Sequence, residues 1–411
     1  MKPTVLIAAT YRWFTTARLA MALAKAGYVV EAVCPSRHPL CRTSVVARTH
    51  NYHALTPLTS FADAIADANP DLIVSGDDLA TRHLHQLYDR ERRQGGQDAP
   101  ICALIERSLG APESFPVVHA RTAFIKMARA EGIRVPHTEV ISNRDELSKW
   151  VDEMGFPTVL KASGSSGGAG VRIVHTMEDA ERAFRYLQAP PLLVRAAKRA
   201  LVDQDRTLIL PSLFRHRSEV NAQEFTPGRE ATSAVACWNG SVLASLHFEV
   251  INKRSSEGPA TVLRLIDNAE MSTAAERMVR RLNLSGLHGF DFMLDERTEN
   301  SYLIEINPRA TQVGHLTLGY GRDLPAALYA AVSGERVQAA PKVTEKDIIA
   351  LFPQEWMRDP ASSFLRSGYH DVPWEEPELV RACVSRSEKQ SAWYSQKNWS
   401  ASSPATRLLR L

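Results

Sequence analysis

Residues 289–309 impose the tightest constraint on this chain. Gly289-Phe290-Asp291-Phe292-Met293-Leu294 and Tyr302-Leu303-Ile304-Glu305-Ile306-Asn307-Pro308-Arg309 are period-2 runs separated by the polar, charged segment Asp295 to Ser301. Alternation of this kind across a short polar segment predicts a β-hairpin. A loop centred near Thr298 sets Asp291 directly opposite Glu305 and sorts the faces. Phe290, Phe292, Leu294, Tyr302, Ile304 and Ile306 then point to a core, and Asp291, Glu305 and Asn307 lie on the other face among Met293 and Leu303. Like charges facing each other in a sheet are destabilising, so two such carboxylates on a half-buried face ask for a cation. Mg²⁺ suits one or two carboxylates completed by waters and substrate phosphates. The alternative is a solvated strand face with incidental acids.

Upstream, Val5 to Ala9 reads as a buried strand, and Leu19, Ala22, Leu23 and Ala26 repeat at helical spacing before Gly27. Tyr28 to Val33 and Asp71 to Ser75 read as further strands, the latter leading into a helix through Leu84 and Leu87. This alternation predicts a parallel α/β domain over residues 1–110. The first turn, Ala8-Ala9-Thr10-Tyr11-Arg12, contains no glycine, so the G-x-G-x-x-G dinucleotide fingerprint is absent. Ligands of open α/β sheets lie at the carboxyl ends of strands, which makes Thr10, Arg12, Asp77 and Asp78 candidate substrate contacts. For Asp77 or Asp78 the competing role is a helix N-cap.

A helix is expected over residues 120–135, ending at Gly132, then a strand, a helix Arg144 to Met154 and a strand Phe156 to Lys161. Leu192 to Leu201 reads as a basic helix, and Leu208 to Phe214 as strand-like or loop. From Ala222 to Asn252 the pattern is strand, Pro227-Gly228 turn, strand, Asn239-Gly240 hairpin turn, strand. A helix is expected from Asp323 to Val332; beyond Gly334 no element is read, and a Ser-rich, basic terminus begins at Ser400. With 411 residues the chain has material for two or three domains. Its net charge of +3, from 49 basic and 46 acidic residues, argues against nucleic acid or an anionic membrane as partner. Five widely spaced cysteines without a C-x-x-C suggest reduced thiols, and no signal peptide or membrane-length apolar run is seen, so the expected location is cytoplasmic.

Lys161-Ala162 opens onto Ser163-Gly164-Ser165-Ser166-Gly167-Gly168-Ala169-Gly170, four glycines and three serines in eight residues, before the strand Val171 to Val174. Backbone N–H groups of such a loop can close on phosphates, and Lys161 can neutralise one. No G-K-[ST] follows, so this is not a Walker A loop.

Loop and acidic hairpin in this order resemble the ATP-grasp superfamily, strongly over about residues 111–332. The resemblance implies an N-terminal parallel α/β (pre-ATP-grasp) domain, residues 1–110, and a two-subdomain ATP-grasp fold. Residues 111–190 would form its N-subdomain, residues 191–334 its C-subdomain with the metal site, and residues 335–411 a small C-terminal extension. It further implies that Arg121 and Lys161 are the two basic phosphate contacts and that Ser163, Gly164, Ser165, Ser166, Gly167 and Gly168 form a flap. Gln223-Glu224-Phe225-Thr226 matches the hinge whose backbone reads adenine, with Gln223 and Thr226 departing from the usual glutamate and aliphatic residue. Glu230 matches the ribose-binding acid, and Lys253 and Arg254 match more loosely a further triphosphate or substrate contact. Asp291, Glu305 and Asn307 match the ligands of Mg²⁺, with Mn²⁺ as an alternative, and Arg309 matches the arginine at the reacting phosphoryl and carboxyl groups.

The activity so implied is an ADP-forming carboxylate–amine (or carboxylate–thiol) ligase using ATP and small-molecule carboxylate and amine substrates, with a homodimer as the expected assembly. Carbamoyl-phosphate-synthetase-like or carboxylase-like chemistry is the alternative within enzymes, and a catalytically silent ATP-binding regulatory protein the alternative outside them. Phosphoryl transfer asks for positioning and charge neutralisation rather than a protein nucleophile, in keeping with a set of cations and carboxylates without a Ser or Cys constellation.

Overall fold

The computed structural model describes residues 2–96, 99–163, 170–189, 218–255, 258–336 and 340–394. Flap residues 164–169, the segment 192–214 and the terminus from Ser400 lie outside the described residues. Among the described residues, no helix is long and apolar enough to cross a membrane.

The N-terminal unit is a parallel sheet of β1 (Thr4–Ala8), β2 (Val29–Cys34), β3 (Val46–Asn51) and β4 (Leu72–Ser75) in the order β3-β2-β1-β4. Helices α1 (Phe14–Ala26), α2 (Pro57–Ala68), α3 (Asp78–Gly95) and α4 (Pro100–Leu109) accompany it. Burial on both faces explains the unbroken apolar run of β1. Val5 and Ile7 join the core that includes Leu19 and Leu23, whereas Leu6 and Ala8 join Phe61, Leu84 and Ile105. Each of the larger side chains, valine, leucine, isoleucine or phenylalanine, contributes about 1.5–3 kcal/mol when taken fully from water. Gly27 ends α1 at φ +121, where a β-carbon would strike the Tyr329 ring.

An antiparallel sheet of β5 (Thr138–Ile141), β6 (Thr158–Ala162), β7 (Val171–Val174) and β8 (Val220–Glu224) follows, in the order β5-β8-β6-β7. The helix expected over residues 120–135 runs Arg121–Ala130, with Gly132 just beyond at φ +70. The helix expected from Arg144 to Met154 has those bounds, with Asn143 capping it through the Glu146 N–H.

The largest sheet contains β9 (Gly228–Trp238), β10 (Ser241–Lys253), β11 (Ala260–Leu265), β12 (Gly286–Asp295), β13 (Ser301–Asn307), β14 (Ile348–Ala350) and β15 (Tyr369–His370), ordered β13-β12-β9-β10-β11-β14-β15. Asn239 and Gly240 turn β9 into β10 with positive φ at both positions, as a type I′ turn requires. Residues beyond Gly334 thus do more than trail the fold: two of their strands extend this sheet. Trp356 is buried there, and the buried Glu355 carboxylate accepts from Thr261 Oγ1, Ser362 Oγ and Arg358.

The β12–β13 hairpin corrects one expectation. Asp291 is opposite Glu305 as expected, but a bulge follows, so Phe292 faces Leu303 and Met293 faces Tyr302. The extra residue shifts the alternation by one. Leu303 therefore turns into the core with Phe290, Phe292, Leu294 and Ile306, while Tyr302 sits outside it under the Arg134 guanidinium.

Candidate functional site

The hairpin presents Asp291 and Glu305 side by side on the face turned away from that core. Asp291 accepts from Thr232 Oγ1 and from Asn307 Nδ2, both at 2.8 Å. Burial, then repulsion from Glu305, pushes its carboxyl up to about 6. Glu305 goes the other way: burial pushes it up, but the Arg121 and Lys161 cations outweigh that and hold it below the usual range. Gly289 makes room beside the pair, since a β-carbon there would meet the Thr311 methyl at 2.3 Å and Asn307 Cβ at 3.3 Å.

Three cations converge from different elements. Arg121, at the first position of its helix, donates from Nε and Nη2 to Glu305, and its buried Nη1 has no partner among the described residues. Lys161 lies buried on β6; desolvation, then the neighbouring Arg121 charge, lowers its ammonium to about 8. Glu305, Asp291 and Glu230 pull it back up only in part. Arg309 is buried, with Nε bonded to Asp78 Oδ2 at 3.0 Å, Nη2 to Asn307 Oδ1 at 3.1 Å, and its guanidinium 4.9 Å from the Trp13 ring centre. Asn307 thereby links Arg309 to Asp291.

This donor set fits a nucleotide with Mg²⁺. Two carboxylates and an amide oxygen are hard oxygen donors of the number Mg²⁺ takes from protein. An unpartnered guanidinium nitrogen is a costly group to bury without an acceptor, and a phosphate oxygen would supply one.

The remaining expected residues fall around this centre unevenly. Gln223 is buried, its Nε2 donating to Thr138 Oγ1 at 2.9 Å, and the Glu224 N–H donates to the His137 carbonyl. Within Gln223–Thr226, only Phe225 and Thr226 lie outside the strands, so backbone available to a base begins after Glu224. Glu230 lies across from Met293 on β12 and accepts from Lys253 Nζ at 2.6 Å, which joins two expected contacts in one ion pair. Arg254 is exposed. Ser163 closes β6, its hydroxyl held by Asn221 Nδ2 at 2.9 Å.

The N-terminal unit reaches the centre by a route the sequence did not reveal. The Ser75 carbonyl accepts from the Ala310 N–H, Thr81 Oγ1 donates to the Pro308 carbonyl at 2.8 Å, and Asp78 holds Arg309. All three contacts grip residues 308–310. Asp77 instead turns inward, capping α3 through the Ala80 N–H and accepting from the Thr10 N–H and hydroxyl. Thr10 and Asp77 are thus engaged with each other, and Asp77 plays its N-cap role. Arg12 donates to the Ser36 carbonyl. Trp13 was not among the expected site residues; its only sequence signal was its place in the first βα turn.

Comparison with known proteins finds relatives that bind ATP. The family described as Carbamoyl-phosphate synthase L chain, ATP binding domain, matches residues 120–318, which carry Arg121, Lys161, Asp291, Glu305, Asn307 and Arg309. Over these residues the chain is similar to enzymes of the ATP-grasp superfamily, and the matches together indicate an ATP-grasp enzyme. The chain is 25% identical over 247 residues to the carbamoyl phosphate synthase large chain of Ralstonia nicotianae, covering 55% of the present chain and 21% of that one. It therefore spans about a fifth of the length of that relative. Among solved structures, N5-carboxyaminoimidazole synthase of Aspergillus clavatus, in complex with ADP and its aminoimidazole ribonucleotide, superimposes with a TM-score of 0.60 at 14% identity, over 82% of this chain and 78% of that one. The biotin carboxylase domain dimer of Hydrogenobacter thermophilus 2-oxoglutarate carboxylase, with MgADP and bicarbonate, gives 0.58 at 14% identity, over 82% and 71%.

Proposed function

We propose that this chain is an ADP-forming ATP-grasp ligase that activates a carboxylate as an acyl phosphate and joins it to an amine. The observation that carries the proposal is the convergence of the Asp291–Glu305 pair with Arg121, Lys161 and Arg309. In this reading Asp291, Glu305 and Asn307 hold Mg²⁺, which would screen the phosphate charge. Arg121 and Lys161 neutralise the triphosphate under the flap, Ser163 to Gly168. Phe225 and Thr226 take the adenine edge, and Glu230 with Lys253 and Arg254 takes the ribose and phosphate side. Arg309 is the group that touches the reacting centre. Its rigid, permanently charged fork suits two oxyanions at once, here the substrate carboxylate and the phosphoryl oxygens. The carboxylate oxygen attacks the γ-phosphorus, ADP leaves, and the amine then attacks the acyl carbon and expels phosphate. The related structures hold bicarbonate in one case and an aminoimidazole nucleotide in another, which supports a small oxyacid and an amine as the substrate classes. A homodimer is proposed from the dimeric biotin carboxylase domain.

The test is a hydroxylamine trap. The full chain with Mg-ATP, hydroxylamine and a panel of carboxylic acids is expected to yield a hydroxamate with equimolar ADP for the true acid. Release of AMP and pyrophosphate would show an adenylate intermediate and refute the proposal.

A further inference from the structure

Beyond that reaction, the N-terminal unit carries a thiol pair that the ATP site does not use. Cys34 ends β2 and is buried; Cys41 lies on the following turn, Pro39–Arg42, and is exposed. Their sulfurs stand 3.8 Å apart. The turn that separates them is anchored at two points to the first βα loop. Arg12 donates to the Ser36 carbonyl, and the His38 ring meets the Tyr11 carbonyl at 3.1 Å. His38 Nδ1 also accepts from the Leu40 N–H, which fixes the turn that presents Cys41.

We propose that Cys34 and Cys41 form an oxidation site, in which a peroxide converts the pair to an intramolecular disulfide. The partition of roles follows from exposure. Cys41 is reachable by solute and is the attacking thiol; Cys34, screened beneath it, is the resolving thiol. The hydrogen bond from Cys34, a backbone contact at His38 and the Arg42 and Arg12 charges together favour the Cys41 thiolate, bringing it down to about 6 against the opposing effect of burial. Thiolate character and access are what make a cysteine reactive.

In the first step the Cys41 thiolate attacks one peroxide oxygen. An S–O bond forms, the O–O bond breaks, and the departing hydroxide takes a proton and leaves as water. In the second, the Cys34 sulfur attacks the sulfenic sulfur of Cys41, an S–S bond forms, the S–O bond breaks, and the Cys34 proton leaves with a second water. Two thiols thus give up two electrons to reduce one hydrogen peroxide to two waters. The sulfurs need only close from 3.8 Å to a bond of about 2.05 Å.

The experiment uses the full chain, reduced, freed of reductant and treated with hydrogen peroxide near neutral pH. After alkylation and tryptic digestion, which cuts between the two cysteines at Arg37, the expected product is a pair of peptides bridged by Cys34–Cys41. Titratable thiols should fall from five to three, by loss of these two, and dithiothreitol should restore them. Cys34→Ser should instead accumulate a Cys41 sulfenic acid that dimedone traps. Oxidation that begins at the half-buried Cys383 would overturn the proposal, as would dimedone-labelled Cys41 in the unsubstituted chain without a bridge. Should Cys34→Ser fail to fold, the peptide map of the unsubstituted chain decides alone.

Discussion

Asp291 and Glu305 face each other, yet replacing each by its amide should move stability in opposite directions. The Asp291 carboxyl rises from 3.8 to about 6 because of burial and of Glu305. Its folded-state pKa lies above its unfolded one, so its contribution to stability is full below the ordinary carboxylate range and is lost as pH climbs through about 6. At about 1.4 kcal/mol for each pH unit, ionising Asp291 in the metal-free fold costs up to about 3 kcal/mol. Solvent at the half-buried pair trims that figure. Asp291→Asn can still accept from Asn307 Nδ2 and donate its N–H₂ to the Thr232 hydroxyl, but it gives up charge-assisted bonds for neutral ones, at a cost of about 1 kcal/mol. The net expectation is a metal-free variant about 1–2 kcal/mol more stable than the parent near neutral pH, with the advantage gone below the ordinary carboxylate range. Glu305 is held below its ordinary value by Arg121 and Lys161, so its ionised form contributes stability above the unfolded pKa and loses it as pH falls. Glu305→Gln should accordingly destabilise the same protein near neutrality. Thermal unfolding in a chelating buffer at about pH 5 and pH 7.5 reads both signs. Adding Mg²⁺ should then raise the parent's midpoint by mass action and leave Asp291→Asn almost unmoved. A less stable Asp291→Asn near neutral pH without metal, or a difference independent of pH, would refute the electrostatic argument.

Lys161 carries its charge below about pH 8, and a phosphate binds the charged form. Affinity for Mg-ADP, measured by calorimetry, should therefore fall as pH rises through that value, and Lys161→Ala should flatten the profile. Arg309→Lys keeps the charge but loses the fork whose separate nitrogens bond Asp78 and Asn307. Hydroxamate formation should fall by about 10²-fold, the scale of one lost transition-state donor, with Mg-ADP affinity retained by isothermal titration. Asp78→Asn should lower the same rate by less, and the two changes should combine less than additively, since Asp78 acts through Arg309. The bulge in β13 places Leu303 in the core and Tyr302 outside it. Leu303→Ala should cost about 2–5 kcal/mol and Tyr302→Ala far less in denaturant titrations; equal losses would return the hairpin to strict alternation.

The parts of the fold legible in the sequence are those in which burial imposes a period. Strands β1, β2 and β4 are apolar because both faces of their sheet are covered, and α1 and α3 follow at helical spacing. Strand β3, Val-Ala-Arg-Thr-His-Asn, is a largely exposed edge and carried no such signal. Strands β14 and β15, of three and two residues, are too short for any period, although they complete the large sheet. The bulge was hidden for a related reason. Tyr302, Leu303 and Ile304 are all apolar or aromatic, so an extra residue among them leaves the hydrophobic pattern intact.

The site divides along the same line. Asp291 and Glu305 were visible as a pair because one hairpin, with a polar loop of defined length, fixes their register. What distinguishes them was not visible, since it depends on cations brought by β6 and by the helix at Arg121, far away in sequence. The orientation of Arg309 likewise depends on Asp78 and Trp13, and Thr81 and Ser75 hold the residues flanking it; each is a contact spanning more than two hundred residues, with no local periodicity to announce it. Local pattern thus identified the groups able to carry charge, whereas tertiary packing decides which of them is ionised without metal and which way the Arg309 guanidinium points. On the proposed function, chemistry at this centre should consequently be as sensitive to Asp78 and Trp13, on the N-terminal unit, as nucleotide binding should be to Arg121 and Lys161.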